Sequence, residues 1–422
     1  MKRTCSRSGQ ALVLVVILLA GALFAFLGFA VDLGRLYLIR GELSVAAESM
    51  ALAAAEQLIG TSAAAGLSQT AASLAQNSDN NGDNRFNFGG NQIGSTEGAL
   101  TSQVEELELY ATYNDAVSGD VGATTDSSAA RYVRVRVQAQ APLTFWRFLP
   151  VGQSGVTPIE AGAVAGISAP LCTVCGMDPL AVVRPNPDDE TDFGFVRGLQ
   201  YTFYSQCAGP PPPALAGAQA LMQYTLLNRS PENSSDLDQG VFRLLAGGIP
   251  APGFPASEDS TLTCPTIGVP ELRLPSVSVA PCNAANRGPI VRDTVCGLNA
   301  RLTSAPHAAC NPITDIDSVI QSYPPDSDVD DHDDYLDYAG NRRRILTVAI
   351  VDNLPLNAAG TMNVLGFRQF LLGPNPGLTE LNPGDPVGRF VAMYVGYPAP
   401  VRQGQFGSCG VTQGPGKVVL HQ

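Results

Sequence analysis

The chain has 422 residues, 45% of them hydrophobic, with 38 acidic against 25 basic side chains and a formal net charge of -13 at pH 7. That balance excludes nucleic acid as a partner class, because holding phosphates needs a basic footprint and the arginines here are scattered. After an N-terminal anchor of about sixty residues, enough chain remains for two modules of ordinary size.

The first element is an apolar run over residues 11–31, ALVLVVILLAGALFAFLGFAV, without a charge. About 20 apolar residues are what a helix needs to cross roughly 30 Å of hydrocarbon. A cleavable signal peptide is the alternative, since Gly28, Phe29 and Ala30 offer small residues near a cleavage point and Lys2, Arg3 and Arg7 make a basic leader. The run exceeds the roughly 7–15 residues of a signal core, and the helical pattern continues beyond it. Leu33, Leu36, Leu43, Ala47, Met50, Ala54 and Leu58 recur at helix spacing, with Arg35, Arg40, Glu42, Glu48 and Glu56 between them. A retained helix of roughly 70 Å is expected, interrupted at most near Gly41. Asp32, at the outer edge of the span, is expected to face water or a partner helix, because a carboxylate in hydrocarbon costs about 2.5–3.5 kcal/mol.

The segment SGQALVLVVILLAGALFAFLGFAVDLGRLYLIRGELSVAAESMALAAA resembles the N-terminal domain of the TadG-like proteins of the Flp (tight adherence) pilus assembly family. Gly9, Gln10 and Ala11, the stretch Ala30, Val31, Asp32, Leu33, Gly34, Arg35, and the Ala-rich end at Ala55 carry the resemblance over about fifty residues. Processed pilins of such systems have Glu five residues after the cleaved glycine, where this chain has Leu14. Many TadG-like proteins also carry a von Willebrand A-type domain with a DxSxS metal site, and no such motif occurs here. The resemblance implies a structural or assembly role, with other Flp/Tad pilus or secretion subunits as partners through the N-terminal helix.

Orientation follows from charge. Lys2, Arg3, Arg7 and the amino terminus precede the span, a positive-inside bias that puts the N-terminus in the cytoplasm of a bacterial inner-membrane, single-pass protein. The rest is then periplasmic or at the cell surface. Of nine cysteines, Cys5 precedes the span and eight follow it: Cys172, Cys175, Cys207, Cys264, Cys282, Cys296, Cys310 and Cys409. An even exported set fits disulfides in an oxidising compartment.

Strand periodicity begins with Leu107, Leu109, Ala111 and Tyr113 on one face of a run and Glu106, Glu108, Tyr110 and Thr112 on the other. RYVRVRVQAQA then places Val133, Val135, Val137 and Ala139 inward and Arg134, Arg136, Gln138 and Gln140 outward. The acidic outer face of the first run suits the basic face of the second. IEAGAVAGI, residues 159–167, is small enough to lie under a helix. The expected fold class is α+β, with a transmembrane helix that continues as a long amphipathic helix packed on an antiparallel sheet in pilin-like fashion. A mainly β, disulfide-containing C-terminal module follows. Boundaries fall at 1–60 for the anchor, 61–169 for the head and 170–422 for the Cys- and Pro-rich module. Within that module, proline tracts such as GPPPP keep elements short, and disulfides are expected to replace part of the core. ILTVAIV and runs over residues 362–372, 387–397 and 417–421 read as its strands.

Two motifs carry chemistry. Cys172 and Cys175 have the spacing of a redox pair or half a zinc site, but Gly176, Met177, Asp178 and Pro179 do not continue a helix and no second CxxC completes a tetrahedron. Structural disulfides are the leading reading; a membrane-tethered periplasmic redox or other enzyme using this pair is the alternative. In the acidic run over residues 326–338, Asp326, Asp328, Asp330, His332, Asp334 and Asp337 fall at positions 1, 3, 5, 7, 9 and 12 of a calcium loop. Asp331 stands where glycine makes the turn and Asp337 where glutamate closes the shell. A solvated acidic loop, or ion pairing with Arg342, Arg343 and Arg344, is the other reading. His307, His332 and His421 stand in no hydrolytic motif, and GPGKVV lacks the spacing of a phosphate loop, reading as a turn into the last strand. Apart from calcium no cofactor is expected. No small-molecule substrate is evident, and the chain reads as non-enzymatic.

Overall fold

Ser8–Ala55 forms one continuous helix of 48 residues, α1, in the computed structural model. The model describes residues 8–76, 103–119, 122–143, 145, 156–175, 178, 180–206, 211–218, 220–226, 287–313, 321, 324–326, 328, 335–354, 363–396, 399–401, 403–405 and 413–421. No interruption occurs at Gly41; Leu, Ala and Ile on both sides favour helix strongly enough to absorb roughly 1 kcal/mol per internal glycine. The helix has two environments. Its first half is bare, with Leu12 67%, Leu18 72%, Phe24 74% and Phe26 74% exposed. Its second half buries Leu43, Ala46, Ala47, Met50, Ala51, Ala54 and Ala55 completely, at the three-and-four spacing of one helix face. The stripe begins at Leu43; Leu33, counted in it from the sequence, is 53% exposed because it lies on the part of the helix that has left the strands. A second helix, α2 (Ala64–Gln76), folds back on α1, and Ser68 Oγ donates to the Ala54 carbonyl at 2.9 Å, occupying an acceptor at the end of the first helix.

The buried stripe lies on a four-stranded antiparallel sheet, ordered β1 (Gln103–Tyr110), β2 (Tyr132–Pro142), β3 (Val156–Ile167) and then β12 (Val418–His421). On the helix side Val133, Val135 and Val137 are fully buried and Ala139 nearly so, as alternation predicts. Ala161, Ala163 and Ala165 of β3 join the same cluster, and their small side chains let α1 approach closely. Gly166 has no alternative here: a Cβ would stand 2.8 Å from the Arg131 carbonyl oxygen and closer still to the Tyr132 ring. The expected charge pairing across the outer face is present, with Arg136 Nη1 3.0 Å from Glu106 Oε2.

The sheet departs from the sequence reading in two places. The first strand stops at Tyr110, and Tyr113–Ser118 forms a short helix, α3, capped by the Thr112 hydroxyl accepting from the Asp115 N–H and closed by Gly119 at φ 66°. The alternation through Tyr113 is overridden by this capping pair. Tyr110, assigned outward, is 2% exposed and clustered with Ala116 of α3, Val164 and Tyr132. The last strand, counted with the C-terminal module, instead pairs with β3 in the first sheet, Val418 opposite Ile167.

The remaining strands close a barrel in the order β10-β6-β7-β5-β8-β9. These are β5 (Leu180–Val183), β6 (Gln200–Ser205), β7 (Ala220–Leu226), β8 (Ile345–Val351), β9 (Val364–Gly373) and β10 (Phe390–Tyr394). Two neighbouring pairs, β5 with β8 and β6 with β7, are parallel. Phe195, Tyr201, Phe203, Phe370, Phe390 and Tyr394 fill it, with Phe203 and Phe390 stacked at 5.0 Å. A helix, α4 (Arg287–Asn299), adds Ile290, Val295 and Leu298 to the same cluster. Proline-rich texture thus coexists with a substantial aromatic core. A separate pair, β4 (Thr173–Cys175) with β11 (Gln403–Gln405), runs antiparallel.

Candidate functional site: the apolar helix and its collar

Residues Leu12–Ala55 make a helix long and apolar enough to cross a membrane, and only 6% of its most apolar window is buried by the rest of the chain. Where that surface ends, the chain supplies a collar. Phe145 follows β2 by three residues, and its backbone N–H donates to Asp32 Oδ2 at 2.9 Å. Its side chain lies over Gly28, where a Cβ would be 2.7 Å from the Phe145 Cβ. Asp32 is only 3% exposed. The carboxylate expected to face water or a partner helix is thus covered by its own chain. Arg35, Tyr37 and Arg40 come next on the helix, Tyr37 being 81% exposed.

The far end of α1 is held by residues from the end of the acidic run. The Tyr335 hydroxyl donates to the Ile59 carbonyl, the Ser62 N–H donates to Leu336 O at 2.7 Å, and Arg342 reaches both Glu56 O at 2.8 Å and Pro400 O at 2.6 Å. Tyr335 and Tyr338 share a cluster with Ile59, Leu371 and Met393, so this clamp joins the helix end to the barrel wall. Burial pushes the Tyr335 hydroxyl above its ordinary range. Sequence reasoning missed this clamp because charge dominates the run; two tyrosines three residues apart were the available signal.

Of the proposed calcium ligands, Asp330, His332 and Asp334 lie outside the described residues. Asp326 is 2% exposed and accepts from the Tyr338 hydroxyl at 2.6 Å and the Asp328 N–H at 3.0 Å. Burial first, and then the Asp326 charge, push the Tyr338 hydroxyl up. Asp328 Oδ2 accepts from the Ala339 N–H at 2.6 Å and its carbonyl from Arg344, while Asp337 accepts from Ser62 Oγ at 3.4 Å. Asp326 and Asp328 thus organise a turn. Among the described residues no three His, Cys, Asp or Glu side chains gather as a metal-holding group.

Cys296 on α4 is bonded to Cys310, and both are about 1% exposed. Cys172 is also disulfide-bonded and 8% exposed. Cys175 lies on β4, opposite Gln403, so this CxxC runs into a strand rather than opening a helix. Cys207, Cys264, Cys282 and Cys409 lie outside the described residues. Nearby, Asp178 pairs with Arg301, both nearly buried, and its other oxygen accepts from the Thr347 N–H at 2.7 Å. His307 Nδ1 accepts from the Ala309 N–H at 3.1 Å and caps the turn holding Cys310. His421 sits between the Tyr113 and Tyr132 rings, at 5.1 and 5.2 Å, and burial lowers its pKa.

A cavity of about 500 Å³ opens between the first sheet and the barrel, with Arg131, Arg197, Arg368, Tyr132 and Tyr394 in its wall. Its polar groups serve the fold: Arg368 donates to Phe367 O, Gln413 O and Thr191 O and stacks over Phe193 at 4.3 Å, while the Tyr394 hydroxyl donates to Asp192 at 2.6 Å. Burial lowers the Arg368 pKa and raises that of Tyr394. No His, Cys, Asp or Glu lines the cavity among the described residues. Comparison with family models, with curated proteins and with solved structures finds no match to this chain.

Proposed function

We propose that this chain is a structural or assembly subunit of a Flp/Tad-type pilus or secretion apparatus. It is held in the bacterial inner membrane by the first half of α1, with its N-terminus cytoplasmic and the rest periplasmic or at the cell surface. One observation carries the reading: a single uninterrupted helix is bare and apolar over its first half and forms the floor of an α+β head over its second. That is the division of labour in pilin-type subunits. The resemblance of residues 8–55 to TadG-like N-terminal domains supports the choice of system. The bare half of α1 is then the surface that meets lipid and the helices of neighbouring subunits.

Deleting the gene in its host and counting surface pili tests the reading. Pili are expected to be lost and restored by the parent gene, but not by a chain whose residues 11–31 are replaced by an unrelated spanning sequence of equal length. Normal piliation in the deletion strain would overturn it.

A further inference from the structure

The collar residue Phe145 is placed where a water-soluble head has no use for it. Measured from Leu12 at 1.5 Å per residue, Gly28 lies about 24 Å and Asp32 about 30 Å along the helix, against a hydrocarbon core of about 30 Å. The ring seated on Gly28 therefore lies about one helical turn inside the far boundary of the bilayer that α1 would cross, and Asp32 lies at that boundary. Phe145 is 46% exposed there, and Phe29 and Val31 on the helix are 48% each, so exposed apolar surface on the helix meets the head at the Gly28 seat. Its N–H meanwhile covers the Asp32 carboxylate, the first charge after the span. Bilayer interfaces favour rings with a polar tip, Trp and Tyr; Phe145 has none, and the bond from its N–H to Asp32 supplies the polar group beside the ring.

We propose that Phe145, seated on Gly28 and tied to Asp32, makes a second membrane contact for the head by lying near the headgroup–acyl boundary, so that the head rests on lipid. This deepens the membrane reading above and rests on it. The occupant is phospholipid, argued from the continuity of this patch with the spanning surface. The contact fixes the height of the head above the membrane and the rotation of α1 about its axis.

The chain has one tryptophan, Trp146, next to Phe145. The full chain carrying Trp146→Phe/Phe145→Trp, reconstituted in phosphatidylcholine–phosphatidylglycerol liposomes, reads the contact directly. Lipid brominated near the headgroup is expected to quench its emission roughly twofold, and lipid brominated near the chain ends less, as for an interfacial ring. Adding Gly28→Leu, which keeps the span apolar but fills the seat, is expected to remove most of that quenching. Trp146→Phe/Leu23→Trp reports the span itself and is expected to be quenched by the deep label. If the Leu23→Trp reporter is quenched and the Phe145→Trp reporter is not, the second contact is wrong while the span stands. If neither is quenched, the membrane reading falls and the contact with it. Undiminished quenching after Gly28→Leu would overturn the seat. The parent chain, with Trp146 as reporter and no substitution, guards against misfolding of the variants.

Discussion

Around α1 the buried residues include Ala46, Ala47, Ala51, Ala54 and Ala55 against Val133, Val135, Val137 and Ala165, with no aromatic ring among them, whereas the barrel cluster includes five phenylalanines and three tyrosines. The first layer gains its stability from closeness: many short side chains let a helix lie along a sheet, and each contributes little. The barrel gains it from volume, since a ring of six strands leaves an interior that its aromatic rings largely fill. The two regions should therefore fail in opposite ways, the barrel by losing atoms and the helix–sheet layer by gaining them.

Phe370→Ala should have the largest effect, about 3–5 kcal/mol, because the ring packs against four others in the barrel centre, Phe195, Tyr201, Phe203 and Tyr394. Urea unfolding of the detergent-solubilised chain measures it. Removing the Cys296–Cys310 bridge by double alanine substitution should cost about 3 kcal/mol on the loop-entropy account, given the 14-residue separation. The same titration, repeated with reductant on the parent, should give a shift at least as large, because the disulfide at Cys172 opens as well. Ala165→Leu should cost about 1–3 kcal/mol by overpacking the helix–sheet layer. If Ala165→Leu is harmless, or Phe370→Ala costs no more than it does, the contrast between the layers is wrong.

Arg136→Gln should cost well under about 1 kcal/mol, because the pair with Glu106 is about two-fifths exposed on both sides and solvent screens it. The smallest effect is pH-dependent. Burial lowers the pKa of His421 below its ordinary 6.5, so the unfolded chain binds a proton there before the folded chain does. Stability from this group is then full above pH 6.5, declines as the pH falls through that value, and levels off below the folded pKa. The difference between parent and His421→Phe melting curves across pH 8 to 5 should show a step of that sign, and a flat difference would remove it.

The sequence made α1 and the inner face of β2 legible because each has a strict period and one covered face. The alternation of Val133 to Ala139 needs no knowledge of partners. The barrel strands were visible as apolar runs but their arrangement was not. They are covered on both faces, and pairs such as β6 with β10 join residues far apart in the chain, so no local pattern records the parallel neighbours. The α3 turn was written in Thr112, Asp115 and Gly119, yet the alternation around it spoke louder. At the candidate site, Asp32 was recognisable as a charge at the edge of an apolar run. Its cover was not, since Phe145 stands 113 residues away. The acidic run was read for its charges, while the part of it that ties α1 to the barrel is its tyrosines.

The pairing of β12 with β3 also sets a schedule. The last four residues of β3, Val164–Ile167, meet their partners on that side only in residues made roughly 250 positions later, which at about 5–20 residues per second is on the order of ten to fifty seconds of synthesis. Throughout that interval the end of β3 beside α1 offers unsatisfied backbone groups to any extended chain nearby, another copy of itself included. A newborn molecule is thus adhesive at that short stretch of β3 until residues 418–421 pair with it, and their loss would leave the stretch open for good.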